Sequence, residues 1–248
     1  MPTFNKSEVV YQAIRRAIIE QALVPGTKLP EDPLGQQFQV SRTLVRAALA
    51  RLASEGLVDV GQKRSAAVAH PSLEEARAIF EVRRCLENEV VRLVIARWRP
   101  EMGAQLEGHV RQEEQAAKAG QVMASSRLAG EFHNLLAGMT GNPVLERYLS
   151  ELVTRCSLIL AVYGRPHSSD CSIGEHRDLI EALRRGDATQ AQHLMGRHLE
   201  AIETRALLPD VIRSEQDLAS ILARYAEAVT APQAARALKP APRKARRG

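Results

Sequence analysis

Apolar residues recur at helical spacing along most of the chain, and one stretch combines that spacing with clear boundaries. In Val40 to Val58, Val45, Ala48, Leu49 and Leu52 stand at i, i+3, i+4 and i+7, the stripe of a helix docked on a core. Ser41 is placed to cap its start by accepting from an early backbone N–H, and Gly56 closes its end in a left-handed conformation. Upstream, Tyr11, Ile14, Ile18 and Ile19 predict a first helix over Tyr11 to Leu23; Pro25-Gly26 forces a turn, and Leu34 and Phe38 mark a short helix over Asp32 to Phe38. Two helices joined by a tight turn fit a helix-turn-helix. Downstream, the apolar runs Leu57 to Val60 and Ala66 to Ala69 flank residues 61–65 and predict a β-hairpin wing.

From Leu73 the strand pattern is absent. A long helix is expected over Leu73 to Trp98, with Ala76, Phe80, Val82, Leu86, Val90, Val91, Val94 and Ile95 as its apolar surface. Further helices are expected over Glu101 to Ala119, Ser125 to Met139, Pro143 to Tyr163, Glu175 to Arg185, Asp187 to Leu207 and Ser214 to Val229. Pro100, Gly120, Gly141-Asn142-Pro143, Gly164 with Pro166, and Gly186 separate them. The expected fold is therefore mostly α: an N-terminal winged helix-turn-helix domain (residues 1–70), a C-terminal all-α helical bundle (71–230) and a tail (231–248).

Composition refines this picture at three points. At 248 residues and 45% hydrophobic content, two packed cores can form. No apolar run reaches 18 residues and Met1 to Lys6 is polar, so neither a membrane span nor a secretory leader is expected. Cys85, Cys156 and Cys171 are odd in number and spread among helices, which fits a reduced, cytoplasmic chain in which they serve as small, partly buried hydrophobes. Charge is unevenly placed: the net is +5, residues 1–70 carry nine basic against six acidic side chains, and the Ala/Pro-rich tail carries six basic and none acidic. The middle is therefore acidic and not itself a nucleic-acid surface. The tail, with few apolar residues, is expected to be disordered, serving as a solubiliser or adding non-specific phosphate contacts.

Two sets of residues carry candidate chemistry. Opposite the stripe of the helix after Val40 stand Arg42, Thr43, Arg46 and Ala50. Two guanidinium groups one turn apart match guanine edges or flanking phosphates in a major groove, with Lys63 and Arg64 of the wing reaching phosphate or the minor groove. A solvated basic face is the alternative. The second set is His133, His176 and His198, each on an apolar stripe of a different helix. Singly they read as core residues; together, neutral imidazoles from facing helices can hold a divalent metal with positions left open. A metal-dependent enzyme using these histidines, and a non-specific DNA-compacting protein relying on the tail, are the rival functional readings. His109, His167 and His193 show no such pattern and read as surface residues.

The first 70 residues resemble the GntR family of bacterial transcription regulators. The matching positions are Leu23, Pro25-Gly26, Leu29, Val40-Ser41-Arg42-Thr43, Val45-Arg46, Ala48-Leu49, Arg51-Leu52 and Glu55-Gly56-Leu57-Val58. The resemblance implies operator binding through Arg42, Thr43 and Arg46, with Ser41 and Arg51 supporting. Leu44, Ala47 and Ser65 depart from the usual proline, glutamate and glycine, the last at the wing's close approach to DNA. Residues 73–207 resemble the FCD effector domain of the FadR-like branch, through Glu131-Phe132-His133, Gly141-Asn142-Pro143-Val144-Leu145, Glu175-His176-Arg177 and His198-Leu199. In metal-binding members the three histidines join an aspartate four residues before the first. Here that place is Ala129, which cannot ligate, and Glu131 is about 200° around the helix from His133. The resemblance thus leaves two alternatives, a divalent metal (zinc or nickel) on the histidines or a metal-free, histidine-lined pocket. Arg83 matches a position where the family often has arginine; Arg155 is a second candidate to hold an anion, and Asn142 is grouped with this effector set although it also suits the turn. The implied function is a homodimeric regulator, most often a repressor, on a pseudo-palindromic double-stranded operator, modulated by a small organic acid.

Overall fold

The computed structural model describes residues 6–61, 65–163, 170–206 and 218–230. The head contains α1 (Lys6–Ile19), β1 (Lys28–Leu29), α2 (Glu31–Phe38), α3 (Arg42–Ser54), β2 (Val58–Asp59) and β3 (Ala66–Val68). The stripe Val45, Ala48, Leu49 and Leu52 is buried as expected, closing on Val10, Ile14 and Ile18 of α1. At roughly 1.5–3 kcal/mol for each large side chain removed from water, this packing, rather than helix propensity, holds α3 in place.

The turn before α3 runs through Gln39, whose φ of +51° ends α2. Ser41 stands at the cap position, but its hydroxyl makes no cap hydrogen bond; its carbonyl accepts from Leu44 and Val45 instead. The wing hairpin forms with Val58 opposite Val68, and its central strand β3 also pairs with β1, giving the order β1-β3-β2. Two-residue β1 is too short to display alternation and was not expected. Lys63 and Arg64 lie outside the described residues, as does the tail after 230.

The bundle follows: α4 (Leu73–Ala96), α5 (Pro100–Lys118), α6 (Val122–Met139), α7 (Pro143–Tyr163), α8 (Asp170–Arg185) and α9 (Ala188–Ala206). Ser72 caps α4 by accepting from the Glu75 amide at 3.1 Å. On α4, Val82 is exposed, and Ile79, Arg83 and Glu87 are buried in the face that the apolar pattern had assigned to it. Cys156 is buried and Cys85 exposed, so only one of these two behaves as a buried hydrophobe. His109 is half-buried rather than a surface residue, with Nε2 2.8 Å from the Leu128 carbonyl.

The last helix, α10 (Leu218–Thr230), was expected to complete the bundle but packs on α1 and α2 of the head. Leu222 and Tyr225 are buried in the head core, with Leu218 and Ile221 at its margin. An apolar stripe records that a face is covered, not which core covers it. No helix among the described residues is long and apolar enough to cross a membrane.

Candidate functional site

The outward face of α3 carries Arg42, Thr43, Arg46 and Ala50, all exposed. The acidic first turn of α2 holds both arginines. Arg46 grips Glu31 with two hydrogen bonds, Nε to Oε1 at 3.0 Å and Nη2 to Oε2 at 2.8 Å, and Arg42 pairs with Asp32. Hydrogen bonding from Arg46 lowers the Glu31 carboxyl below its ordinary range. Arg46 and Arg42 remain 70% and 68% exposed, so these pairs cost little to break when DNA competes. Arg51 turns the other way: it lies 3.6 Å over the Tyr11 ring and donates to Glu8 at 2.7 Å, which makes it a brace between α3 and α1. α3 and the wing bound an open cleft lined by Arg42, Arg46, Ala50, Val60 and Ser65.

The second site lies inside the bundle. α6, α8 and α9 bring His133, His176 and His198 together, at 1%, 1% and 3% exposure, with one ring nitrogen of each within 4.8 Å of the others. His133 Nε2 lies 3.2 Å from His198 Nε2, and Phe132 stacks on His176 with ring centroids 4.0 Å apart. Each Nδ1 faces a different glutamate. His176 Nδ1 is 3.0 Å from Glu113 Oε2 and His198 Nδ1 is 2.6 Å from Glu175 Oε2. His133 Nδ1 is 2.8 Å from Glu87 Oε1, close enough for a charge contact but not aligned as a hydrogen bond. With Nδ1 on Glu113, His176 Nε2 is buried without a hydrogen-bond partner.

Burial pushes His133 down to about 3 against the pull of Glu87, and pushes His198 below its ordinary value against Glu175. These imidazoles are therefore neutral near pH 7, the form that ligates a metal. Burial opposes ionisation of Glu87 as well, but His133 and Arg83 together hold its carboxyl at about 2. Arg83 is buried, donates through Nε to Glu87 at 3.1 Å, and keeps Nη2 without a partner.

Two residues expected at the effector site are elsewhere. Arg155 lies against Gly56 at the foot of α3 and pairs with Glu75. Successive helical residues point about 100° apart, so while neighbouring Cys156 is buried with α4, Arg155 turns to the head. Asn142 caps α7, its Oδ1 accepting from the Val144 and Leu145 amides at 3.1 and 3.2 Å, so its acceptor is committed to the helix terminus.

Residues 6–68 match the family model of the bacterial regulatory proteins of the gntR family, and residues 78–201 match the FCD domain. The chain belongs to the GntR family. This GntR protein is 25% identical over 202 residues to the HTH-type transcriptional repressor RspR of Escherichia coli (strain K12), covering 81% of this chain and 89% of the relative. It is 27% identical over 223 residues to the repressor NanR of Edwardsiella tarda (strain FL6-60), covering 79% and 83%. Its fold matches the solved structure of E. coli McbR/YncC with a TM-score of 0.71 at 22% identity, over 79% of this chain and 94% of that one. A GntR head binds DNA, and the family and its relatives are transcription regulators, which sets aside the metal-enzyme reading of the histidines. The glutamates around this GntR protein's histidines went unnoticed in the sequence, although Glu113 sits in register with Leu106 and Val110, where an acid on an apolar stripe is a signal of a buried partner.

Proposed function

We propose that this GntR regulator is a homodimeric repressor that reads a pseudo-palindromic operator with Arg42, Thr43 and Arg46, and that a small organic acid bound at a divalent metal in the bundle controls it. The relatives RspR and NanR are transcriptional repressors, which supports this reading. The observation that carries the effector reading is the convergence of three buried imidazoles whose Nδ1 atoms all face carboxylates. A carboxylate at Nδ1 fixes the ring and directs the Nε2 lone pair inward, an arrangement that suits metal ligands. His133 Nε2 and His198 Nε2 face each other at 3.2 Å, a hydrogen bond set by the His133 tautomer that a shared cation would replace.

The charge also fits. The carboxylates of Glu87, Glu113 and Glu175 behind the imidazoles outnumber the guanidinium groups near them, Arg83 on Glu87 and Arg205 beside Glu175. A divalent cation would offset this excess of carboxylates, and the glutamates would thereby replace the negative charge lost at Ala129. His133, His176 and His198 would hold the ion, with zinc or nickel suited to imidazole donors. Bound there, the metal supplies a Lewis-acidic contact for a carboxylate. Arg83, whose Nη2 has no partner, supplies the second contact to the anion. An effector that binds one arrangement of head and bundle more tightly than another shifts operator affinity by that difference.

Metal analysis of purified protein, with a thermal-shift screen of organic acids in zinc, nickel or chelator, tests this reading. One bound divalent ion per chain, lost in His176→Ala, and an acid that raises the melting temperature only with metal present are expected. Metal-free protein stabilised equally by acids with or without zinc would favour the histidine-lined pocket instead.

A further inference from the structure

Glu20, immediately after α1, is 4% exposed and is the one buried charge among the described residues of the head. Three donors from three helices converge on it. Arg16 Nε of α1 and Arg127 Nε of α6 each donate to Oε1 at 2.9 Å, and the Tyr225 hydroxyl of α10 donates to Oε2 at 2.9 Å. Arg127 is steadied in turn by Glu131, which accepts from its Nη1 at 2.6 Å. Glu20 therefore belongs to the head, Arg127 to the bundle helix that carries His133, and Tyr225 to the helix after the FCD domain that returns to the head.

We infer that Glu20 is the joint through which the bundle orients the DNA-reading head, with Arg127 as the bundle's grip on it and α10 as the strap that keeps it closed. Parting the bundle from the head removes one of the two guanidinium groups on this carboxylate and leaves it with Arg16 alone, which is costly for a group 4% exposed. Other contacts cross the same boundary, among them Arg15 Nη2 donating to Thr154 Oγ1 at 2.6 Å and Leu158 of α7 buried in the head core. Neither strands a buried charge when it opens, since Arg15 keeps Glu55 and Leu158 carries none, whereas the Glu20 cluster does. α6 is a continuous helix from Val122 to Met139, so it carries Arg127 with it when His133 shifts. In this last respect the inference rests on the metal and effector reading above.

The single tryptophan, Trp98, packs at the margin of the bundle core and reports the bundle alone, whereas far-UV circular dichroism reports all helices. In the full chain without metal, melts followed by the two probes are expected to coincide. In Arg127→Met and in Tyr225→Phe the dichroism melt is expected to separate and begin about 5 °C or more below the Trp98 melt, with Arg127→Lys restoring coincidence. Coincident melts in Arg127→Met and Tyr225→Phe overturn the joint; if Arg127→Met does not fold, Tyr225→Phe and Arg127→Lys decide. Zinc, titrated with bound metal assayed, is expected to raise both melts in the wild type and only the Trp98 melt in Arg127→Met. Zinc that binds but raises the Trp98 melt alone in the wild type overturns transmission through Glu20. Zinc that does not bind overturns the histidine reading and leaves the joint to stand or fall on the metal-free melts.

Discussion

Glu113 Oε2 lies 3.0 Å from His176 Nδ1, with both side chains buried and Glu113 also accepting from Ser172. The pair joins α5 to α8 and makes the charge behind the imidazole part of the site. Glu113→Gln keeps the shape and an acceptor for Nδ1 but removes the charge. Competition with a chromogenic chelator is expected to show zinc affinity about 10–100-fold weaker, the usual cost of losing a partner behind a ligand. An unchanged affinity would mean that the carboxylate does not assist the ligand.

Tyr11 links the head's stability to alkaline pH. Burial, then its hydrogen bond to Glu55 at 2.6 Å, raises the phenol from 10.0 to about 12. The unfolded chain loses this proton near pH 10 while the folded chain keeps it to about 12, so the folded state binds more protons in that window. The contribution is complete below pH 10 and is lost as pH rises from 10 to 12, by up to about 2 kcal/mol. Denaturant melts of wild type and Tyr11→Phe are expected to diverge in alkaline slope over that range. Parallel slopes would remove Tyr11 as the cause.

Gly56 is constrained twice. Its φ is +71°, and a Cβ there would approach Arg155 Nε to 3.0 Å. Gly56→Ala is expected to lower stability by about 1–3 kcal/mol, as is typical of a residue forced into a sparsely populated conformation. A chemical denaturation midpoint at the wild-type value would show that the end of α3 relaxes without cost.

What was legible in the sequence, and what was not, follows from the range of the interactions. The α3 stripe could be read because Val45, Ala48, Leu49 and Leu52 repeat at helical period, and all four are buried. The histidine centre could be read because imidazoles on apolar stripes of three helices have few destinations except a shared interior. Glu87 and Glu175 could not, since an acid on a long helix usually marks a solvated face and only the partner helix shows otherwise. Arg155 and Asn142 were expected at the effector site by type; Glu75 of the bundle and Gly56 of the head claim the first and a helix terminus the second. The docking of α10 on the head depends on which of two apolar faces remains open, which no local pattern encodes.

Operator reading by α3 is tested most directly by selection from a random pool of DNA duplexes at fixed salt, with wild-type protein and with Arg46→Ala. Arg46 projects from α3 with 70% of its side chain exposed, paired with Glu31. The wild type is expected to enrich one pseudo-palindromic sequence, and the variant to lose about 1–3 kcal/mol of discrimination at one base pair in each half-site while remaining folded. Enrichment of the same sequence to the same degree by both proteins would contradict the assignment of Arg46, and enrichment of none by the wild type would contradict operator reading altogether.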